Sequence, residues 1–265
     1  MYSPLQLGLR YIKYFVTASN GKGHGVHSPF VFSFITNVLN DNRHFYAYES
    51  IESLRQLLLL ENKKILVEDF GAGSRLNKTK LRAIQEIASS SLKPKKFGQL
   101  LFRMVDYYLP KTILELGTSL GVTSAYLASA NPSASIITLE GSKEISEIAL
   151  SNFAKLNLTN VQQIIGNFDD SLAEVLLHTR QIDMAFIDGN HRYEPTIRYF
   201  KQLLNVTHEY SILIFDDIHW SHEMERAWEE IINDSSVMLS VDLFFIGLVF
   251  FRKENKTKQH FVIRF

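Results

Sequence analysis

The stretch Thr112-Ile113-Leu114-Glu115-Leu116-Gly117-Thr118-Ser119-Leu120-Gly121 constrains this chain more than any other. It reads as a short apolar strand, an acid and a glycine turn. Val122 to Ala128 follows with the pattern of a helix start. In open α/β sheets a nucleoside-bearing ligand binds at such a turn, beyond the strand's carboxyl end. A dinucleotide fingerprint would be G-x-G-x-x-G, because a second glycine lets the backbone approach a pyrophosphate. Ser119 stands in that second place here. The turn therefore suits a nucleoside without a pyrophosphate, and Glu115 suits a positive charge. S-adenosylmethionine combines adenosine, a sulfonium, an ammonium and no phosphate.

The chain's 265 residues accommodate one large α/β domain with an appendage. A hydrophobic share of 46% and a charged share of 21% are those of a soluble globular protein. No apolar run reaches the roughly 20 residues that span a bilayer. Met1-Tyr2-Ser3-Pro4 lacks the basic start and apolar middle of a secretory signal. The absence of cysteine excludes disulfides, thiolate metal sites and any cysteine nucleophile, including the covalent route to 5-methylpyrimidines. A cytoplasmic protein with no membrane partner is the expectation. Net charge is zero but uneven. Residues 1–110 hold 15 Lys and Arg against 8 Asp and Glu, and the remainder hold 13 against 20. That split would suit RNA or another phosphate-bearing partner. Two solvated faces within one molecule explain it more simply.

The first ninety-odd residues read as a mainly helical extension, 1–93. Leu5, Leu9, Ile12 and Val16 follow helical spacing, broadened by Tyr11 and Phe15. Such a stripe is expected to pack on its own protein rather than on a membrane. Ser28-Pro29 reads as an N-cap with proline in the first turn of a helix running to Leu39. Tyr48 to Leu60 suggests another. Lys64 to Ser74 imitates the later motif, with an extended segment, acids and the turn Gly71-Ala72-Gly73. Helical patterning resumes only near Lys80-Leu81, so a structural turn is the better reading there.

From Pro94 the rhythm becomes regular, defining a second region, 94–265. A helix from Phe97 to Tyr108 precedes strands at 112–117, 135–140, 161–165, 182–188 and 211–216. Helices at 121–130, 143–156, 170–178, 194–206 and 221–233 alternate with them. Alternation of this length implies a doubly wound, mostly parallel sheet. Val237–Leu243 and Ile246–Phe251 have no helix between them, which predicts an antiparallel closing pair. Gln259 to Phe265 adds a last extended segment.

The strand tips carry the chemistry. Glu140 ends the second regular strand, 25 residues after Glu115, where an acid accepts ribose hydroxyls. After the third, the ring of Phe168 can pack on adenine, and Asn167 or Asp169 can reach its exocyclic amine. Asp169 or Asp170 can equally cap the next helix. Asp188 follows the fourth strand, and Asp216-Asp217 the fifth. These three carboxylates suit a hard divalent cation such as Mg²⁺, which prefers oxygen ligands. As ordinary carboxylates they would instead cap helices or hydrogen-bond the cofactor, and Asp188 is also expected among the cofactor-binding residues. His191, three residues past Asp188, can accept a proton near neutral pH. His219 and His222 are alternative ligands or plain surface. His24 and His27 alone make an incomplete metal site.

These residues resemble the class I S-adenosylmethionine-dependent methyltransferases. Phe186-Ile187-Asp188-Gly189-Asn190-His191-Arg192-Tyr193 is similar to the small-molecule O-methyltransferase group. The likeness runs from Leu114 to Phe251. It implies a Rossmann-like seven-stranded sheet with an antiparallel last strand. It implies contacts from Glu115, Gly117, Thr118, Ser119 and Gly121 to the methionine part and ribose, from Glu140 to the ribose hydroxyls, and from Asn167 and Phe168 to adenine. Within the catechol O-methyltransferase branch, the metal positions correspond to Asp188, Asp216 and Asp217. This chain has Asp-Asp where the branch has Asp-Asn, and His191 where the branch has a lysine base. Residues 1–93 resemble instead the extension of uncharacterised bacterial methyltransferase-like proteins, marked by His24-Gly25-Val26-His27-Ser28-Pro29-Phe30.

The resulting expectation is methyl transfer from S-adenosylmethionine to an oxygen of a small molecule, with Asp188 and His191 as catalytic residues. Amine methylation commonly uses an N/D-P-P-Y/F turn after the fourth strand, and Asp188-Gly189-Asn190-His191 is not that turn. RNA as acceptor and a non-catalytic cofactor-binding module are the alternatives. The oligomeric state is left open by the sequence.

Overall fold

The structure is a computed structural model that describes residues 1–68 and 79–265. The glycine turn Gly71-Ala72-Gly73 lies outside the described residues. The chain forms two compact units, Asn42–Val175 and Met1–Asp41 with Leu176–Phe265.

The first unit begins with α3 (Tyr46–Leu60), preceded in the chain by α1 (Pro4–Thr17) and α2 (Pro29–Phe34) of the other unit. Strands β1 (Lys64–Glu68) and β2 (Thr79–Ala83) pair antiparallel, with Leu66 opposite Leu81. The Lys80-Leu81 segment is therefore strand, and the helix α4 starts later, at Ile84–Ser91. Cross-strand pairing overrides the local helical pattern there, because it places Ile65 and Val67 on a buried face. α5 (Lys95–Tyr108) leads into β3 (Thr112–Leu116), α6 (Val122–Ala130), β4 (Ser135–Glu140), α7 (Lys143–Lys155) and β5 (Val161–Ile165). These strands run parallel in the order β3-β4-β5. A core of Tyr48, Ile51, Leu54, Ile84, Phe102, Val122, Ala125 and Tyr126 joins the hairpin and α3 to α6.

The second unit holds β6 (Met184–Ile187), α9 (Tyr193–Leu204), β7 (Ile212–Asp216), α10 (His222–Asn233), β8 (Leu239–Asp242), β9 (Ile246–Phe250) and β10 (Gln259–Val262). α8 (Phe168–His178) leads into it. The strand order is β10-β8-β9-β7-β6. β6 and β7 are parallel, and β9 is antiparallel to both β7 and β8. The antiparallel pair expected from the tail is thus present. β10 adds a strand beyond the seven anticipated, parallel to β8.

Ser28 caps α2, its hydroxyl accepting from the Val31 N–H, with Pro29 at the first helical position. A π-helical turn, Ile35–Leu39, completes that helix. α1 packs on its own unit, but not by the stripe expected. Its buried residue is Tyr14, with Tyr11 and Leu7 beside it against Phe244 and Phe245. The Tyr14 hydroxyl donates to the Ile263 carbonyl, and Ser19 bridges Ile263. Tyr2 and Arg10 both bond Glu225 of α10, at 2.6 Å each. Leu5, Leu9, Ile12 and Val16 face solvent.

α9 and α10 are tied by Lys201 and Asp234. Burial alone would push the Asp234 carboxyl up, but Lys201 and the Ser236 hydroxyl and N–H hold it down at about 2. A carboxylate depressed on folding stabilises the protein above its unfolded value, and that contribution fades as pH falls toward the folded value. Asp234→Asn is therefore expected to lower the melting temperature at pH 7. The gap from the parent protein should narrow between about pH 4 and pH 2. A gap that stays constant over this range in scanning calorimetry would refute the assignment.

Candidate functional site

The turn after β3 is built from left-handed backbone. Gly117, Ser119 and Gly121 have φ of 105°, 47° and 80°. Glycine enters this region without strain, whereas serine does so at a cost. The Gly117 and Thr118 N–H groups donate to the Leu139 carbonyl at 3.0 and 3.1 Å, which fastens the turn to β4. Gly121 caps α6 and admits no side chain. A Cβ there would lie 2.6 Å from the Phe153 ring and 3.2 Å from the Ala149 methyl.

Glu115 is fully buried. Its carboxylate accepts from the Ser124 hydroxyl and, at 2.6 Å, from the Thr138 hydroxyl. The Thr118 and Thr138 hydroxyls lie 2.6 Å apart. Since Thr138 gives its single proton to Glu115, Thr118 must donate to Thr138. The chain of hydroxyls runs Thr118 to Thr138 to Glu115. This acid stitches β3, β4 and α6 together beneath the turn. Thr118 is buried with it, so its side chain serves this network.

Glu140, at the tip of β4, is half-buried. It accepts from the Ser119 N–H at 2.8 Å and from the Ser142 N–H at 3.0 Å. Burial pushes its carboxyl up, against the pull of N–H groups from Ser142, Ser119 and Gly141. A carboxylate offers about four acceptor positions, so hydroxyl donors can join these bonds. Beyond β5, Asn167 caps α8. Its side-chain oxygen accepts from the Asp169 N–H at 3.2 Å, and its carbonyl from the Asp170 and Ser171 N–H groups. The capping role left open between Asp169 and Asp170 thus belongs to Asn167. Phe168, the first residue of α8, is half-buried.

In the other unit, Asp188 follows β6 and Asp216 ends β7. Ligand atoms of Asp188, His191 and Asp216 all lie within 4.8 Å of one another. His191 Nε2 is 3.4 Å from Asp188 Oδ1. Asp216 is only 1% exposed. The loop that presents His191 is strained, with φ of 68° at Asn190 and 39° at His191. The Asn190 amide donates to the Tyr199 hydroxyl of α9 at 3.2 Å, and the His191 N–H to the Gly189 carbonyl at 2.9 Å. Two carboxylates and an imidazole are a donor set that fits a divalent cation. Asp217 is not one of the three. Its φ is 53°, and its N–H donates to the Phe245 carbonyl at 2.7 Å, where β9 begins. His191, rather than Asp217, is the third side chain that converges with Asp188 and Asp216. Among the described residues no other trio of metal-ligating side chains converges in this way.

His219 is committed elsewhere. It bonds Asp242 at 2.8 Å and Glu225 at 3.3 Å and stacks on Phe244. Burial alone would lower its imidazole, and the two carboxylates raise it above its ordinary value. Sequence reasoning passed over Ser124, Thr138 and Tyr199. The only local signal of Ser124 and Thr138 was a hydroxyl two or three residues from a motif position or facing one on the next strand, and Tyr199, six residues past Tyr193, had none. Such hydroxyls are common.

Residues 114–218 match a family model described as a methyltransferase domain. A catechol O-methyltransferase of Niastella koreensis is 31% identical over 126 residues, 46% of this chain and 55% of that protein. The chain thus spans about half the length of the curated relative it matches. An O-methyltransferase of Bacillus cereus in complex with SAH superposes with a TM-score of 0.57 at 20% identity, over 83% of this chain and 97% of that one. The O-methyltransferase TomG of Streptomyces achromogenes, in complex with SAM, gives 0.55 at 18% identity, over 84% and 95%. The Podospora anserina methyltransferase PaMTH1, bound to SAH, gives 0.59 at 14% identity, over 85% and 97%. At these identities the structural likeness is one of fold. The fold is thus that of the class I S-adenosylmethionine-dependent methyltransferases, and residues 114–218 within it are similar to the methyltransferase-domain family.

Proposed function

We propose that the protein transfers the methyl group of S-adenosylmethionine to an oxygen of a small-molecule acceptor, aided by a divalent cation. The observation that carries this reading is the convergence of Asp188, His191 and Asp216. It is supported by the names of the relatives, a catechol O-methyltransferase and two O-methyltransferases.

In this reading the turn from Gly117 to Gly121 receives the methionine part and ribose. Glu140 accepts the ribose hydroxyls, and Asn167 and Phe168 meet adenine. Glu115, Thr118, Thr138 and Ser124 keep the turn in shape rather than meeting the ligand with their side chains. Asp188 and Asp216 hold an oxygen-preferring cation, which when bound lowers the pKa of an acceptor hydroxyl. His191, steadied by Asp188, accepts that hydroxyl's proton. Asn190, anchored on Tyr199, fixes the loop that aims the imidazole. Rate enhancement comes mainly from holding oxygen and sulfonium in an attack geometry.

The first test is titration calorimetry of the full chain with S-adenosylmethionine. Glu140→Ala is expected to weaken binding by roughly 10- to 100-fold, the value of charge-assisted hydrogen bonds. Unchanged affinity would remove the ribose assignment. Incubation with aromatic vicinal diols should yield O-methyl products, suppressed by a chelator and restored by Mg²⁺. Methylation of RNA oligonucleotides with none of the diols would overturn the acceptor class.

A further inference from the structure

Helix α1 leaves an apolar ridge facing outward. Leu5, Leu9, Ile12 and Val16 are 74%, 60%, 60% and 71% exposed, and Phe15 beside them is 46% exposed. At 3.6 residues per turn the first four fall within an arc of about 60°. Tyr14 and Leu7, which dock α1 on its own unit, lie on the opposite side. The outward face is thus apolar as well as the docked one, whereas an ordinary surface helix turns a polar face to solvent.

The spacing of the ridge says what covers it. Leu5, Leu9, Ile12 and Val16 advance by four, three and four residues, the narrow two-position seam of a coiled coil. A helix lying in a membrane interface has instead a broad apolar face and a polar face rich in Lys and Arg. α1 contains only Arg10 and Lys13 as charged residues. Arg10 is held by Glu225 at 2.6 Å and lies over the Tyr2 ring. A helical partner fits this surface better than a lipid one.

We propose that α1 pairs with α1 of a second copy of this chain, antiparallel across a two-fold axis. In that arrangement Leu5 packs on Val16 of the other copy, and Leu9 on Ile12. The flanking positions are complementary in the same register. Gly8, around which nothing lies within 4 Å of a built Cβ, faces Phe15 of the other copy. Lys13 faces Gln6 rather than a second Lys13. A parallel pair would instead set Gly8 against Lys13 of the other copy and leave Phe15 beyond the last turn of the partner helix. Five apolar side chains per copy supply roughly half the ~800 Å² per partner of a standard interface. The dimer is therefore weak and governed by concentration.

Sedimentation velocity of the full chain from about 1 to 200 μM should show a monomer–dimer equilibrium within that range. Leu9→Glu with Ile12→Glu should move its midpoint at least tenfold higher. Both positions are exposed, so the melting temperature of the variant should stay within a few degrees of the parent. Because the chain has no cysteine, orientation can be read by oxidation. A mixture of Leu9→Cys and Ile12→Cys chains should crosslink mainly to each other. Preferential Leu9→Cys self-crosslinking would overturn the antiparallel register. A monomer throughout, or a dimer indifferent to the Leu9→Glu/Ile12→Glu pair, would overturn the proposal. So would co-sedimentation of the monomer with phosphatidylcholine–phosphatidylglycerol vesicles that the same pair abolishes.

Discussion

Gly121→Ala is expected to destabilise the protein by about 2–5 kcal/mol and to remove measurable S-adenosylmethionine binding. Two costs add. The residue sits at φ 80°, where an L side chain costs roughly 1–2 kcal/mol. The new methyl would also lie 2.6 Å from the buried Phe153 ring and 3.2 Å from Ala149, inside contact distance on two sides. Phe153 and Ala149 belong to α7 and are buried, so neither can yield freely. Overpacking of this kind costs about 1–3 kcal/mol. Relaxation would unwind the start of α6 and shift the Ser119 N–H that Glu140 accepts. Urea denaturation measures the first effect and calorimetry the second. A variant with parental stability and parental affinity would show that the turn tolerates reshaping. Ser119→Gly is the natural control, because it relieves a strained φ of 47° and should be neutral or slightly stabilising.

Asp216→Asn should lower turnover by roughly 10²-fold or more while changing cofactor affinity less than about threefold. The substitution keeps the size of the side chain and removes the charge. At 1% exposure the parent carboxylate has little water to neutralise it, so a cation compensates it when bound. The residual activity should no longer respond to chelator. His191→Asn should behave differently. If His191 accepts the proton, its loss lowers turnover, shifts the pH profile and leaves the Mg²⁺ requirement intact. If the imidazole is instead a ligand, the variant loses Mg²⁺ affinity along with rate. Replacing Mg²⁺ by Co²⁺ or Zn²⁺ sharpens the distinction, since imidazole is a good ligand for those ions. Full turnover in Asp216→Asn would end the cation proposal.

Much of this architecture is legible locally. The alternation of strands and helices from Phe97 to Phe250 follows from hydrophobic periods of two and 3.6 and from glycine and proline at the breaks. The Gly117–Gly121 turn is legible because positive φ leaves a compositional mark. Asp188 and Asp216 were legible because they end apolar strands. Lys80-Leu81 was misread as helix because an isolated five-residue window cannot report the strand it pairs with.

The chain's own residue order therefore determined the fold class, the glycine turn after β3 and the acids at the tips of β4, β6 and β7, since each depends on neighbours within one or two turns or strands. Tertiary structure alone decided which of those groups meet. It sealed Glu115 beneath the turn with Ser124 and Thr138, brought His191 rather than Asp217 to Asp188 and Asp216, and turned the Leu5–Val16 ridge of α1 to solvent by docking Tyr14. Each of these outcomes depends on segments far apart in sequence competing for the same buried space. A short-range pattern carries no record of which segment wins.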